Sequence, residues 1–217
     1  MTWFFIAIGV FLLGHVIPGL LRARLQAVLG EWLYIILFSV TSLLLLAWVI
    51  YEEGRADYIE LWPYNPQQHW VPLIAMVPVS VLWVAGLRQP CPLSLGRRAG
   101  FDPARPGINR FTRHPLLLGM AIWGLAHLVP NGHLAALLFF GGSAIFALIG
   151  FARMEKIRSR GMPDVQYQAI LAGTRRFDWR GITFSAFGWR DIVGGILLYG
   201  AMVLLHPVII GVGPLPF

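Results

Sequence analysis

The chain has 217 residues, of which 57% are hydrophobic and only 12% charged, with nine Trp and 14 Phe. A soluble domain carries about 25% charged residues, so this composition excludes an ordinary water-soluble globule. Seventeen Lys and Arg against ten Asp and Glu give a net charge of +7, but the basic residues are confined to particular loops, and no nucleic acid partner is expected.

The apolar residues fall into blocks of about 20, the length a bilayer core of about 30 Å demands of a helix. Six spans are predicted in chain order, over residues 3–20, 32–51, 69–87, 115–130, 134–151 and 187–209. The first begins without a basic region and runs on without a small-residue cleavage site, so it is expected to stay as a helix. The fourth is the shortest. Only Asn131-Gly132-His133 joins it to the fifth, and this turn-forming triplet predicts two helices lying side by side. The fold class is therefore all-α, a polytopic transmembrane helical bundle of about six spans, read as one domain over residues 1–217.

Sixteen of the 17 basic residues lie in three loops. Arg22 and Arg24 are in the first; Arg88, Arg97, Arg98, Arg105, Arg110 and Arg113 are in the third; eight more, from Arg153 to Arg190, are in the fifth. The second loop carries Glu52, Glu53, Asp57 and Glu60 with Arg55. By the positive-inside rule the odd loops are cytoplasmic and both termini periplasmic, as expected for a multi-pass protein of the bacterial inner membrane.

The two long basic loops differ in character. Pro90-Cys91-Pro92 and residues 102–107 break helices, whereas residues 152–172 read as a basic helix continuing out of the fifth span. Cys91, the single cysteine, is expected unpaired in a loop. Arg175 and Arg176, followed by Phe177, Trp179, Phe184 and Trp189, suit an anchor at an anionic leaflet, with membrane lipids as partners.

Ionisable groups inside hydrocarbon are costly and mark functional candidates. His15 and His127 lie within spans one and four among apolar neighbours. Gly14, Gly124 and Ala126 are small enough to let a flat macrocycle approach. Neutral imidazole is the usual protein ligand of haem iron; the alternative is a histidine bonded to a carbonyl, a hydroxyl or water between helices. His69, His133 and His206 fall near the outer ends of spans, where they either bind a metal ion or face water and headgroups. Arg113 and His114, held at the entry to the fourth helix by Pro115, are candidates to bind a phosphate, a carboxylate or lipid headgroups.

Gly14-His15-Val16-Ile17-Pro18, Arg113-His114-Pro115 and Trp123-Gly124-Leu125-Ala126-His127-Leu128 followed by Asn131-Gly132 together resemble the NnrU family of bacterial membrane proteins. The family is named for a link to nitrite and nitric oxide reduction in denitrifiers, and the likeness covers nearly the whole chain. NnrU proteins are in turn similar to the 15-cis-zeta-carotene isomerase of plants and cyanobacteria, a membrane enzyme with haem b held by two histidines. This resemblance implies haem b on His15 and His127. It also implies either support of denitrification beside a respiratory enzyme partner or isomerisation of a hydrophobic polyene substrate. The isomerase's alternative cysteine ligand falls at Gly124 here.

Arg113-His114-Pro115 followed by Met154-Glu155, Gly161, Tyr167 and Arg176 also resembles the C-terminal half of isoprenylcysteine carboxyl methyltransferase. That likeness implies S-adenosylmethionine as cofactor, with His114 contacting it and Glu155 and Tyr167 helping to bind it or to position substrate. Leu116 to Leu118 stand where that family has a tyrosine. A third reading is a non-enzymatic assembly factor for a respiratory complex.

Overall fold

The computed structural model describes residues 1–216. It is all-helical, with no strand among the described residues, and separates into two compact units. Unit 1 comprises Met1–Leu61 with His133–Ala136, and unit 2 comprises Trp62–Gly132 with Leu137–Phe217.

In unit 1, α1 (Thr2–Leu20) and α3 (Glu31–Glu53) form an antiparallel pair joined through the short α2 (Arg22–Leu29). The first loop is thus itself helical. Gly30 closes α2 with φ of 79°, a left-handed conformation that a side chain would strain. Near the α2 end of the pair, Tyr34 Oη donates to the Pro18 carbonyl at 3.3 Å. At the other, Phe4 is buried. The outward faces stay open, with Leu43 and Leu44 each about two-thirds exposed. An apolar surface of that extent is stable only against lipid or another apolar partner. The three-residue α6 (Leu134–Ala136) belongs to this unit.

Unit 2 is built around α4 (Trp70–Arg88), entered through a turn of tight helix at Pro66–His69 that Asn65 caps. On it pack α5 (Pro115–Leu128) and α9 (Trp189–Ile209), and α7 (Gly142–Ser159) packs on α5. Glycines allow these close approaches: a Cβ on Gly195 would lie 2.6 Å from Val81 Cα, and small residues of this kind are how helices associate in lipid. Before α7 the helix widens into a π turn over Leu137–Gly141.

Five helices are long and apolar enough to cross a membrane: Thr2–Leu20, Glu31–Glu53, Pro66–Arg88, Leu134–Ser159 and Trp189–Ile209. They make this a multi-pass membrane protein. The apolar helix Pro115–Leu128 has 14 residues and rises about 21 Å, less than a full bilayer core. Its packing on α7 agrees with the side-by-side pair read from the short joint.

One expectation needs correction. The basic helix over residues 152–172 is interrupted: α7 stops at Ser159, Gly161 takes φ of 76°, Pro163 precedes the next segment, and α8 (Asp164–Gly173) starts anew. Pro163 cannot supply the N–H that a continuing helix requires. Cys91 lies unpaired in a loop, as expected, and is fully buried there in a cluster with Leu82, Ala85, Ile108 and Phe111. Gln89 stitches that loop end together. Its Nε2 donates to Asp191 Oδ2 at 2.7 Å and to the Ala186 carbonyl at 3.0 Å, while its Oε1 accepts from Ile108 N at 2.8 Å.

Candidate functional site

His127 sits near the end of α5, where Nδ1 donates to the Trp123 carbonyl at 2.9 Å. Its ring stacks on Phe140 at 5.5 Å and tilts against Trp123 at 5.4 Å. Phe139 and Phe140, both in the π turn, also pack on Trp123. The π turn therefore delivers one ring, Phe140, to the imidazole and a second, Phe139, to the Trp123 beside it, and such turns frequently occur at functional sites. With Nδ1–H committed, Nε2 is left as a lone-pair acceptor with no hydrogen-bond partner among the described residues.

His15 repeats this arrangement in unit 1. Its Nδ1 donates to the Phe11 carbonyl at 2.7 Å, and the ring lies 4.3 Å from Phe11 and 5.5 Å, edge-on, from Phe38. Nε2 again has no partner among the described residues. Ser42, one turn beyond Phe38 on α3, has a buried hydroxyl that is likewise unpartnered. A carbonyl fixing Nδ1 selects the tautomer whose Nε2 can bind a metal, the arrangement that metal-ligating histidines nearly always show. The donor chemistry of both residues thus fits a haem iron. Their flanking glycines do not serve as expected. A Cβ on Gly14 would lie 2.6 Å from Leu45 Cδ1, and one on Gly124 would lie 2.5 Å from the Phe140 carbonyl oxygen. These glycines let neighbouring segments approach closely.

The outer histidines have separate partners. His69 donates through Nδ1 to the Pro214 carbonyl and accepts from Tyr64 Oη, at 3.3 and 3.2 Å. His206 donates to the Val212 carbonyl at 2.7 Å. His133 faces Glu53 at 3.5 Å within unit 1. No group of three or more His, Cys, Asp or Glu able to hold a metal ion forms among the described residues.

Arg113 and His114 lie in a closed polar clasp at the arginine-rich end of unit 2. Residues 109–113 and 174–178 run beside each other, with Arg175 N donating to the Asn109 carbonyl at 2.9 Å and Arg113 N to the Arg175 carbonyl at 2.7 Å. Glu155, on α7, receives Arg113 Nη1 at 2.9 Å, Arg176 Nη2 at 2.6 Å and His114 Nε2 at 3.2 Å. Arg113 also donates through Nε to Thr174 Oγ1 at 2.8 Å, and His114 Nδ1 meets Ser94 Oγ at 2.9 Å. His114 is fully buried. Burial pushes its imidazole below the ordinary value, with Arg113 and Arg176 adding to the shift and Glu155 opposing it. A neutral ring satisfies both contacts, Nε2–H donating to Glu155 and Nδ1 accepting from Ser94. Neither ring nitrogen is presented to a ligand, and the Arg113 guanidinium is spent on Glu155 and Thr174. Ser94, Thr112 and Thr174 escape the sequence reading because their partners lie 20, 64 and 61 residues away. Trp123 had a local signal, standing four residues before His127.

Five helices long and apolar enough to cross a membrane, with a shorter apolar one, define a multi-pass helical membrane protein. Residues 3–214 match the family described as NnrU protein, and the chain belongs to the NnrU family. Comparison with curated proteins and with solved structures gives no match.

Proposed function

We propose that this chain is a haem b-binding protein of the bacterial inner membrane, in which His15 and His127 would hold the iron. The reading rests on one observation made twice: each intramembrane imidazole commits Nδ1–H to a carbonyl of its own helix and keeps Nε2 unpartnered. Haem b, when bound, supplies a one-electron couple and an open or exchangeable iron site, the chemistry that nitrite and nitric oxide reduction or cis–trans isomerisation of a polyene requires.

The chain's own residues have definable tasks. The Phe11 and Trp123 carbonyls fix the tautomer and raise ligand basicity. Phe38 and Phe140 restrict the ring planes, so little rotational freedom is lost on binding. Leu45 and the Phe140 carbonyl, seated on Gly14 and Gly124, lock the helices that carry the ligands. The apolar surroundings exclude water. Arg113 and His114 have a structural task, binding Glu155 and closing the loops beneath α5.

Charge placement supports six crossings with both termini periplasmic, Pro115–Leu128 being the fourth and relying on flanking residues to complete its span. The whole chain then acts as one NnrU-like domain. A respiratory or denitrification enzyme is the partner if the haem carries electrons, and a hydrophobic small molecule is the substrate if it isomerises.

The test is a visible spectrum of the full chain, purified in detergent after expression with haem supplementation. A Soret band that shifts or disappears in both His15→Ala and His127→Ala is expected. Absence of the band, or a band untouched by either substitution, overturns the proposal.

A further inference from the structure

Around Glu155 the positive charge exceeds the negative. Arg113 and Arg176 already share its carboxylate. Arg158 follows Glu155 by three residues on α7, and its Nε is buried without a hydrogen-bond partner among the described residues. An unpaired buried guanidinium nitrogen costs free energy and calls for an acceptor. Arg176 is open on its outer side, with 59% of its side chain exposed.

From Arg176 the chain runs directly onto a shelf of aromatic rings. Phe177 and Trp179 pack on each other at 4.8 Å and on the buried Phe111 at 5.3 and 6.3 Å, so the shelf is anchored by the fold. Trp179 is 71% exposed, and farther along the same connection Phe184 is 90% and Trp189 69% exposed. Trp189 is also the first residue of the membrane-spanning helix α9, which places the shelf where hydrocarbon gives way to headgroups. Indole and guanidinium groups together match that layer, since one prefers the boundary and the other pairs with phosphate oxygens.

We propose that this shelf is a binding site for an anionic phospholipid, with the phosphate against Arg158 and Arg176 and an acyl chain along Trp179 and Phe184. The site is independent of the haem reading and uses none of its residues. Charge complementarity selects the occupant. Unit 2 presents more arginines there than the single Glu155 carboxylate neutralises, and a zwitterionic lipid would bring its own cation to the same place.

Native mass spectrometry of the full chain in detergent tests the proposal, with phosphatidylglycerol and phosphatidylcholine of identical acyl chains titrated separately. The wild-type protein is expected to retain phosphatidylglycerol preferentially. One arginine near an anionic lipid contributes about 1 kcal/mol, so Arg158→Gln should lower that preference about fivefold. Phe184→Ala, which disturbs an exposed ring only, should weaken retention of the lipid while helix content by circular dichroism stays unchanged. Inorganic phosphate at the same concentration should displace none of it. Equal retention of the two lipids, a preference unaltered in both variants, or displacement by phosphate alone each overturns the proposal.

Discussion

Replacing Glu155 by Gln preserves volume and removes the one carboxylate that Arg113, His114 and Arg176 share. Arg113 and His114 are enclosed, with side-chain exposures of 13% and 0%, whereas Arg176 is 59% exposed. Removing one partner from a buried ion pair costs about 3–5 kcal/mol, because the remaining charge stays desolvated. Water takes over most of what Arg176 loses, and an exposed pair is worth about 0–1 kcal/mol. The loss therefore falls mainly on the Arg113 side, and for a chain of this size 3 kcal/mol corresponds to a fall in Tm of about 6–12 °C. Arg176→Gln, by the same reasoning, should lower Tm by only about 0–4 °C. Both values can be read from the monodisperse size-exclusion peak remaining after heating detergent-solubilised protein. A Glu155→Gln protein melting within about 2 °C of wild type, or an Arg176→Gln protein equally damaged, would refute the assignment of Glu155 as the buried centre of the clasp.

Two further predictions concern the same end of unit 2. His114 is held below its ordinary value by burial, so the folded protein binds fewer protons there than the unfolded chain. Stability should be complete above about pH 6.5 and decline as pH falls through the lower folded value. Tm recorded from pH 7.5 to 5 should show this slope, and a slope identical in His114→Gln would count against it. The Cys91 thiol is pushed up to about 12 by burial, and the thiolate is the reactive form. N-ethylmaleimide should therefore label Cys91 only after denaturation, as intact mass will report; rapid labelling of the folded protein would contradict its burial.

The helical spans were legible because each is a local property: some 20 apolar residues in succession, bounded by charge, can satisfy their backbone in a bilayer in only a few ways. The side-by-side packing of α5 and α7 followed from a joint too short for anything else. The clasp was half legible. Arg113-His114-Pro115 stood out as a motif, but no local pattern connects Arg113 to a carboxylate 42 residues later and to a guanidinium 21 beyond that. The break after Ser159 had a signal in Gly161 and Pro163 that the charge pattern overrode. For the intramembrane histidines, residue type identified the candidates, whereas the commitment of Nδ1 and the rings confining each imidazole depend on rotamers and packing. The filling of the spaces beside Gly14 and Gly124 depends on helix register, which sequence spacing does not set.

The wide turn over Leu137–Gly141 does more than place two phenylalanines. It amounts to one surplus residue in the winding of that helix, and each residue advances an α-helix by about 100°. Everything downstream is indexed by that surplus, including Phe151, which lies against His114 at 4.6 Å, and Glu155. Deleting Gly141 at the end of the turn would swing the carboxylate about 100° around the helix axis, away from Arg113, while Phe139, ahead of the deletion, stayed in place. One irregularity in the backbone thus sets the phase of the histidine's surroundings at one level of unit 2 and of the ion cluster four helical turns away.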